Sequence, residues 1–211
     1  MNFDPLLIIF ALTSVLISMT IHEAMHAFAS NALGDDTARH EGRLTLNPLA
    51  HIDPVTTVAL PVFLAIAQLP IFGAAKPVPF NPERLRWGDF GAATVALAGP
   101  FTNLVLAVLA GAVFQLGLVQ NEVLGQFLFT FMAVNVGFFL FNIIPFPPLD
   151  GSRFLYAVAP EPVRALMRSI ESLGFMAIII FIFLFYTVLA RPFGNVMATV
   201  ITALSGVQVT F

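Results

Sequence analysis

The 211-residue chain is 58% hydrophobic and only 10% charged, with 23 Phe and a mean hydropathy of +0.91, against about 25% charged residues in an ordinary soluble domain. That is the composition of an integral membrane protein; at ~20 residues per span it leaves no room for a sizeable soluble domain, so one membrane domain over 1–211 is expected. The net charge of −3 argues against a nucleic-acid partner, and the absence of Cys excludes disulfides and thiolate metal sites.

In chain order, hydrophobic runs lie at about 5–31, 55–72, 92–119, 127–144, 172–190 and, more weakly, 194–211. The first is preceded by Met1-Asn2-Phe3-Asp4, without the basic stretch of a cleavable signal peptide. It contains His22-Glu23-Ala24-Met25-His26, an H-E-x-x-H motif. On a helix His22 and His26 stand one turn apart on one face, so both imidazoles can reach one metal ion while Glu23 sits close enough to hold a metal-bound water. That is half of a zinc hydrolase site. So short a pattern also arises by accident in soluble helices. In an apolar span, however, ionisable groups are costly unless they pair, bind a cation or face a wet cavity.

Beyond this run, Gly42-Arg43-Leu44-Thr45-Leu46-Asn47 alternates like a short membrane-associated strand that could hold an extended substrate by main-chain pairing; its plain alternative is an interfacial turn. The 55–72 run is short, follows Pro54 and carries Pro61, Gln68 and Pro70, which fits a re-entrant segment as well as a span. Charge separates the two. If every run crosses, Lys76, Arg84, Arg86, Arg153, Arg164 and Arg168 lie opposite Arg39, Arg43 and Arg191; if 55–72 returns, Arg39 and Arg43 join the larger group and only Arg191 stands opposite. The positive-inside rule prefers the second arrangement, with the basic side cytoplasmic and the amino terminus outside. At ~1.5 Å per residue, His22 and His26 then lie near the cytoplasmic end of the first span. The end of the 127–144 run, with Asp150 just beyond, is cytoplasmic too. An all-α polytopic bundle of five or six membrane segments, one of them re-entrant, is expected.

A catalytic zinc takes three protein ligands and a water, and the first span supplies two. The candidates for the third are His40 and His51 in polar loops, Asp53, which also suits a helix cap before Pro54, and Asp150 in a Pro-rich Asp-Gly turn. Spacing alone leaves Asp150 open between ligand and ordinary turn. Asn103 and Asn135 lie inside spans, as substrate contacts or interhelical hydrogen bonds, and Gly99 permits close helix contact beside Pro100. Residues 161–168 pattern as a short amphipathic surface helix with Pro162 in its first turn.

Asn142-x-x-Pro145-x-Pro147-x-Leu149-Asp150-Gly151 resembles the N-x-x-P-x-P-x-L-D-G signature of the site-2 protease family of intramembrane zinc metalloproteases. His22 to His26 resembles that family's H-E-x-x-H, and Gly99-Pro100-Phe101-Thr102-Asn103 its G-P-x-x-N element. The three motifs stand in the expected order and cover about 5–155, leaving the last two runs as additions. The resemblance implies a three-helix core binding one zinc ion through His22, His26 and Asp150, with Glu23 as general base and Asn142, with Asn103, on the substrate side. The implied substrate is a membrane protein cut within its transmembrane helix, in the lipid bilayer of a bacterial or archaeal cell membrane, with the active site toward the cytoplasm. The 55–72 run departs from the short dipping loop of simpler members, and 120–126 is too short for the PDZ-type domain some relatives carry.

Two other classes compete: a transporter or channel, and a membrane scaffold that binds zinc without turnover. Intramembrane polar groups and re-entrant segments also mark ion pathways, but no paired repeat of interrupted helices is present and the H-E-x-x-H goes unused in that reading. Glu23 favours hydrolysis over a passive scaffold.

Overall fold

The computed structural model describes residues 4–67 and 73–209. Helix α1 (Pro5–Ala32) begins where the Asp4 carboxylate accepts the Leu6 N–H and Pro5 fills the first turn. A single turn, α2 (Thr37–His40), follows, and then α3 (Leu60–Ile66), preceded by a π-helical stretch Pro54–Ala59 that Asp53 caps. α4 (Asp89–Gln115) and α5 (Glu122–Asn142) are long, the latter capped by Asn121. α6 (Gly151–Val158) and α7 (Glu161–Ser172) are short; α8 (Phe175–Leu184) runs through π-helical residues Phe185–Leu189 into α9 (Ala190–Ser205).

Among the described residues, four helices are long and apolar enough to cross a membrane: Pro5–Ala32, Asp89–Gln115, Glu122–Asn142 and Met176–Ser205. The protein is a multi-pass membrane protein. α1, α4 and α5 pack against one another, and α9 lies against α4 and α5 on their other side. There Ala107, Ala110, Met132, Val136 and Ile201 form the apolar core. Small residues dominate α4 because lipid offers no hydrophobic drive for helix association, so close van der Waals approach must supply it.

The two C-terminal runs, expected as separate segments, are one helix, Met176–Ser205. Arg191, expected in a connection, therefore stands within a helix. Pro192 cannot donate to the Val188 carbonyl, and the π turn Phe185–Leu189, which ends shortly before it, accommodates the break. Pro61 likewise follows shortly after the π-helical Pro54–Ala59.

The start and the return of the 55–72 region are bonded to each other. The Ala74 N–H donates to Thr56 O (3.1 Å), the Thr57 hydroxyl to Ala74 O (2.7 Å) and the Lys76 N–H to His51 O (2.9 Å). The two described ends of the segment therefore lie side by side. Gln68 and Pro70 of this run, and the last two residues of the 194–211 run, lie outside the described residues.

The strand expected over 42–47 does not form. Arg43, only 3% exposed, turns inward and donates to the carbonyls of Ala50 and Pro77, while the Thr45 N–H closes on Arg43 O (2.9 Å). An alternating sequence makes a strand only where a second backbone lies alongside to complete the ladder. Residues 161–168 fall within α7, whose Arg164 donates to Asp89 (2.8 Å) and to the carbonyls of Ala157 and Ala159. This fastens α7 to the start of α4.

Candidate metal centre

α1 buries a ridge of polar side chains at every fourth residue: Ser14, Ser18, His22, His26 and Ser30. Its other faces present Leu7, Ile8, Ile9 and Leu12 outward. Such a helix is inside-out relative to a soluble one, since lipid takes the apolar side chains and the neighbouring helices must satisfy the polar ones.

His22 and His26 meet edge-on, ring centroids 4.6 Å apart at 86°. Asp150 Oδ2 lies 3.1 Å from His22 Nε2 and 3.4 Å from His26 Nε2. Donor atoms of a tetrahedral zinc at about 2.0–2.1 Å stand about 3.3 Å apart, so the spacing suits that ion. Among the described residues His22, His26 and Asp150 are the one such group able to hold a metal, with ligand atoms all within 4.8 Å of one another.

Two neighbours of this group explain its geometry. Asp150 is brought back toward α1 by a turn after α5, in which Phe146 N–H donates to Ile144 O (2.8 Å) and Leu149 N–H to Phe146 O (2.9 Å). Gly151 then lies so close to α5 that a Cβ there would stand 2.2 Å from Ile143 O. Only glycine lets the turn fold this tightly. On the opposite side, α4 faces both rings. The carbonyl of Val95 takes the His26 Nδ1–H at 2.8 Å; a carbonyl can only accept, so His26 keeps its lone pair on Nε2. Gly99 has no side chain, and a Cβ there would lie 2.6 Å from His26 Nε2 and 2.7 Å from His22 Nε2. The space onto which both nitrogens open exists because residue 99 is Gly.

The other expected site residues are placed as follows. Glu23 is partly exposed, and no hydrogen bond among the described residues engages its carboxylate. Asn142, the last residue of α5, donates back to Phe138 O (3.0 Å). Asn103, expected on the substrate side, is completely buried and 2.6 Å from His22 Nδ1. Of the alternative ligands, His40 is exposed and held at Asp36 O (2.9 Å), His51 is buried with Nε2 on Thr45 O (2.9 Å), and Asp53 caps Pro54–Ala59. The signal missed in the sequence was the spacing of Ser14 and Ser18, two turns and one turn before His22.

The loop after α1 is pinned by buried Asp35. Its carboxylate accepts from the Thr37 hydroxyl (2.6 Å), the Thr37 N–H (3.1 Å), the Asn81 N–H (2.7 Å) and the Ser30 hydroxyl (3.2 Å). Burial pushes its pKa up, but these hydrogen bonds outweigh burial and hold it below the ordinary 3.8.

The chain is similar to the Bacillus subtilis protein named "Putative zinc metalloprotease YwhC", with 37% identity over 192 residues, 86% of this chain and 80% of that protein. It belongs to the site-2 protease family of zinc metalloproteases. Rip2 of Mycolicibacterium smegmatis, named in the same terms, is 33% identical over 178 residues. Rip2 of Mycobacterium tuberculosis H37Rv is 32% identical over 163 residues. The matches cover 78% and 72% of this chain but only 63% and 58% of those Rip2 proteins. No family model and no solved structure matches the chain. Membership makes the chain a metalloprotease and zinc the metal that its relatives' names imply.

Proposed function

We propose that this protease cuts peptide bonds within transmembrane segments of other membrane proteins, as an endopeptidase using one zinc ion on His22, His26 and Asp150. The observation carrying this reading is the convergence of two imidazole Nε2 atoms and one carboxylate oxygen from α1 and the turn after α5, with Glu23 left unbonded beside them. Zinc at these residues supplies a Lewis acid and brings the pKa of water toward ~7. Glu23 takes the proton of the attacking water and delivers it to the departing amine. Asn142, at the mouth of the same turn, contacts the substrate backbone. The substrate helix must unwind first, because its carbonyls are otherwise held in internal hydrogen bonds.

The bonded ends of the 55–72 region support the charge split read from the sequence, and on that reading the metal centre lies toward the cytoplasmic face of a bacterial or archaeal cell membrane. Whole-chain protein in detergent, with a transmembrane-helix substrate and parallel metal analysis, tests the proposal. Glu23→Gln should lower cleavage by about 10²–10⁴-fold and keep its zinc. Asp150→Ala should lose zinc, while His40→Ala and His51→Ala keep it. Wild-type cleavage by Glu23→Gln would remove the assigned base, and stoichiometric zinc in Asp150→Ala the assigned ligand.

A further inference from the structure

A chain of amides stands behind His22, and the inference drawn from it rests on the zinc reading above. Asn135 donates its amide N–H groups to Phe131 O and to the Ser18 hydroxyl, each at 2.8 Å. The main-chain carbonyl can only accept, so the Asn135 oxygen is turned the other way, where it receives the Asn103 amide at 2.8 Å. Asn103 gives its other N–H to Ser18 O (3.3 Å). With its nitrogen committed to two acceptors, the oxygen of Asn103 is the atom that faces His22 Nδ1 at 2.6 Å. Oxygen cannot donate there, so His22 Nδ1 carries the hydrogen and Nε2 keeps the lone pair on the side of Asp150.

We propose that Asn103, locked by Asn135 and Ser18, is a positioning residue that selects the tautomer and orientation in which His22 presents Nε2 to the metal. All three residues are completely buried, so none of them reaches a substrate. On α4, Val95, Gly99 and Asn103 follow at intervals of one turn. Val95 O orients His26, Gly99 leaves the space, and Asn103 orients His22. One face of one helix thereby sets both imidazoles from behind, as partners of ligating histidines do at metal sites generally.

An ordinary interhelical hydrogen bond would contribute to stability alone. The two roles separate in a measurement that needs no substrate: apparent zinc affinity of the purified full chain by chelator competition, with the visible spectrum of the Co²⁺-substituted protein. Asn103→Leu should weaken zinc binding by about 10- to 100-fold and alter the Co²⁺ bands. Asn103→Asp retains an acceptor for His22 Nδ1 but loses both donations that lock the side chain, so its loss should be smaller than that of Asn103→Leu without reaching wild type. Asn135→Leu, which frees Asn103 to turn over, should fall between them. Wild-type affinity and spectrum in Asn103→Leu would overturn the proposal, as would losses in Asn103→Asp equal to those in Asn103→Leu. Should Asn103→Leu not fold, unchanged affinity in Asn135→Leu overturns it equally. A wild-type chain that binds no zinc refutes the metal reading itself, whereas zinc binding indifferent to Asn103 refutes only the positioning role.

Discussion

Helix α4 makes close approaches through its glycines, and two of them, at Gly99 and Gly111, serve opposite purposes. At Gly99 the missing side chain leaves room between the helix and two polar rings, and Val95 O and Asn103 on adjacent turns aim those rings. At Gly111 the missing side chain brings α9 into direct backbone contact, where a Cβ would lie 2.7 Å from Leu204 O and 2.9 Å from Leu204 Cβ. The first approach is about orientation, the second about adhesion. A membrane helix can carry both because burial in lipid does not require one face to be polar and the other apolar; each face is set by what it meets.

Substituting the two glycines breaks the comparison most directly. Gly99→Ala pushes a methyl into the space shared by both Nε2 atoms, and zinc affinity should fall by at least about 10-fold while the apo protein melts near the wild-type temperature. Equal zinc affinity in this variant would show that the nitrogens do not converge there. Gly111→Ala should do the reverse. The gain in helix propensity is about 1 kcal/mol, but overpacking against a backbone costs about 1–3 kcal/mol, so a modest net loss of stability in detergent denaturation is expected, with zinc binding intact.

The smallest effect concerns the loop beyond the site. The pKa of Asp35 is lowered on folding, so its hydrogen bonds contribute stability that is fully present above the unfolded value of 3.8 and lost as pH falls through the lower folded value. Denaturation midpoints followed from about pH 5 to about pH 3 should therefore decline, and Asp35→Asn should flatten that decline. An unchanged slope in Asp35→Asn would assign the acid sensitivity to another carboxylate.

Much of this was legible in the residues. H-E-x-x-H on a helix places His22 and His26 on one face by helical period alone. The prolines and flanking charges of 55–72 read as a segment that returns, and its described ends are bonded to each other. The misreadings arose where a local pattern depends on a distant partner. Gly42–Asn47 alternates without a second strand to pair with, and Arg43 finds its carbonyls elsewhere. The 172–190 and 194–211 runs resemble two spans because Arg191 and Pro192 punctuate them, yet a π turn carries one helix through the break. Asn103 looked equally suited to substrate or to a neighbouring helix, and only the packing of α4 on α1 and α5 turned it toward His22.

The sequence by itself determined the medium and the placing of two imidazoles on one face of α1, since these depend on composition and helical period. The tertiary structure decided which carboxylate stands at the two imidazoles and which ring nitrogen faces it. Those depend on approaches of a few ångströms between residues far apart in the chain, where a single Cβ at Gly99 or Gly151 would close the space.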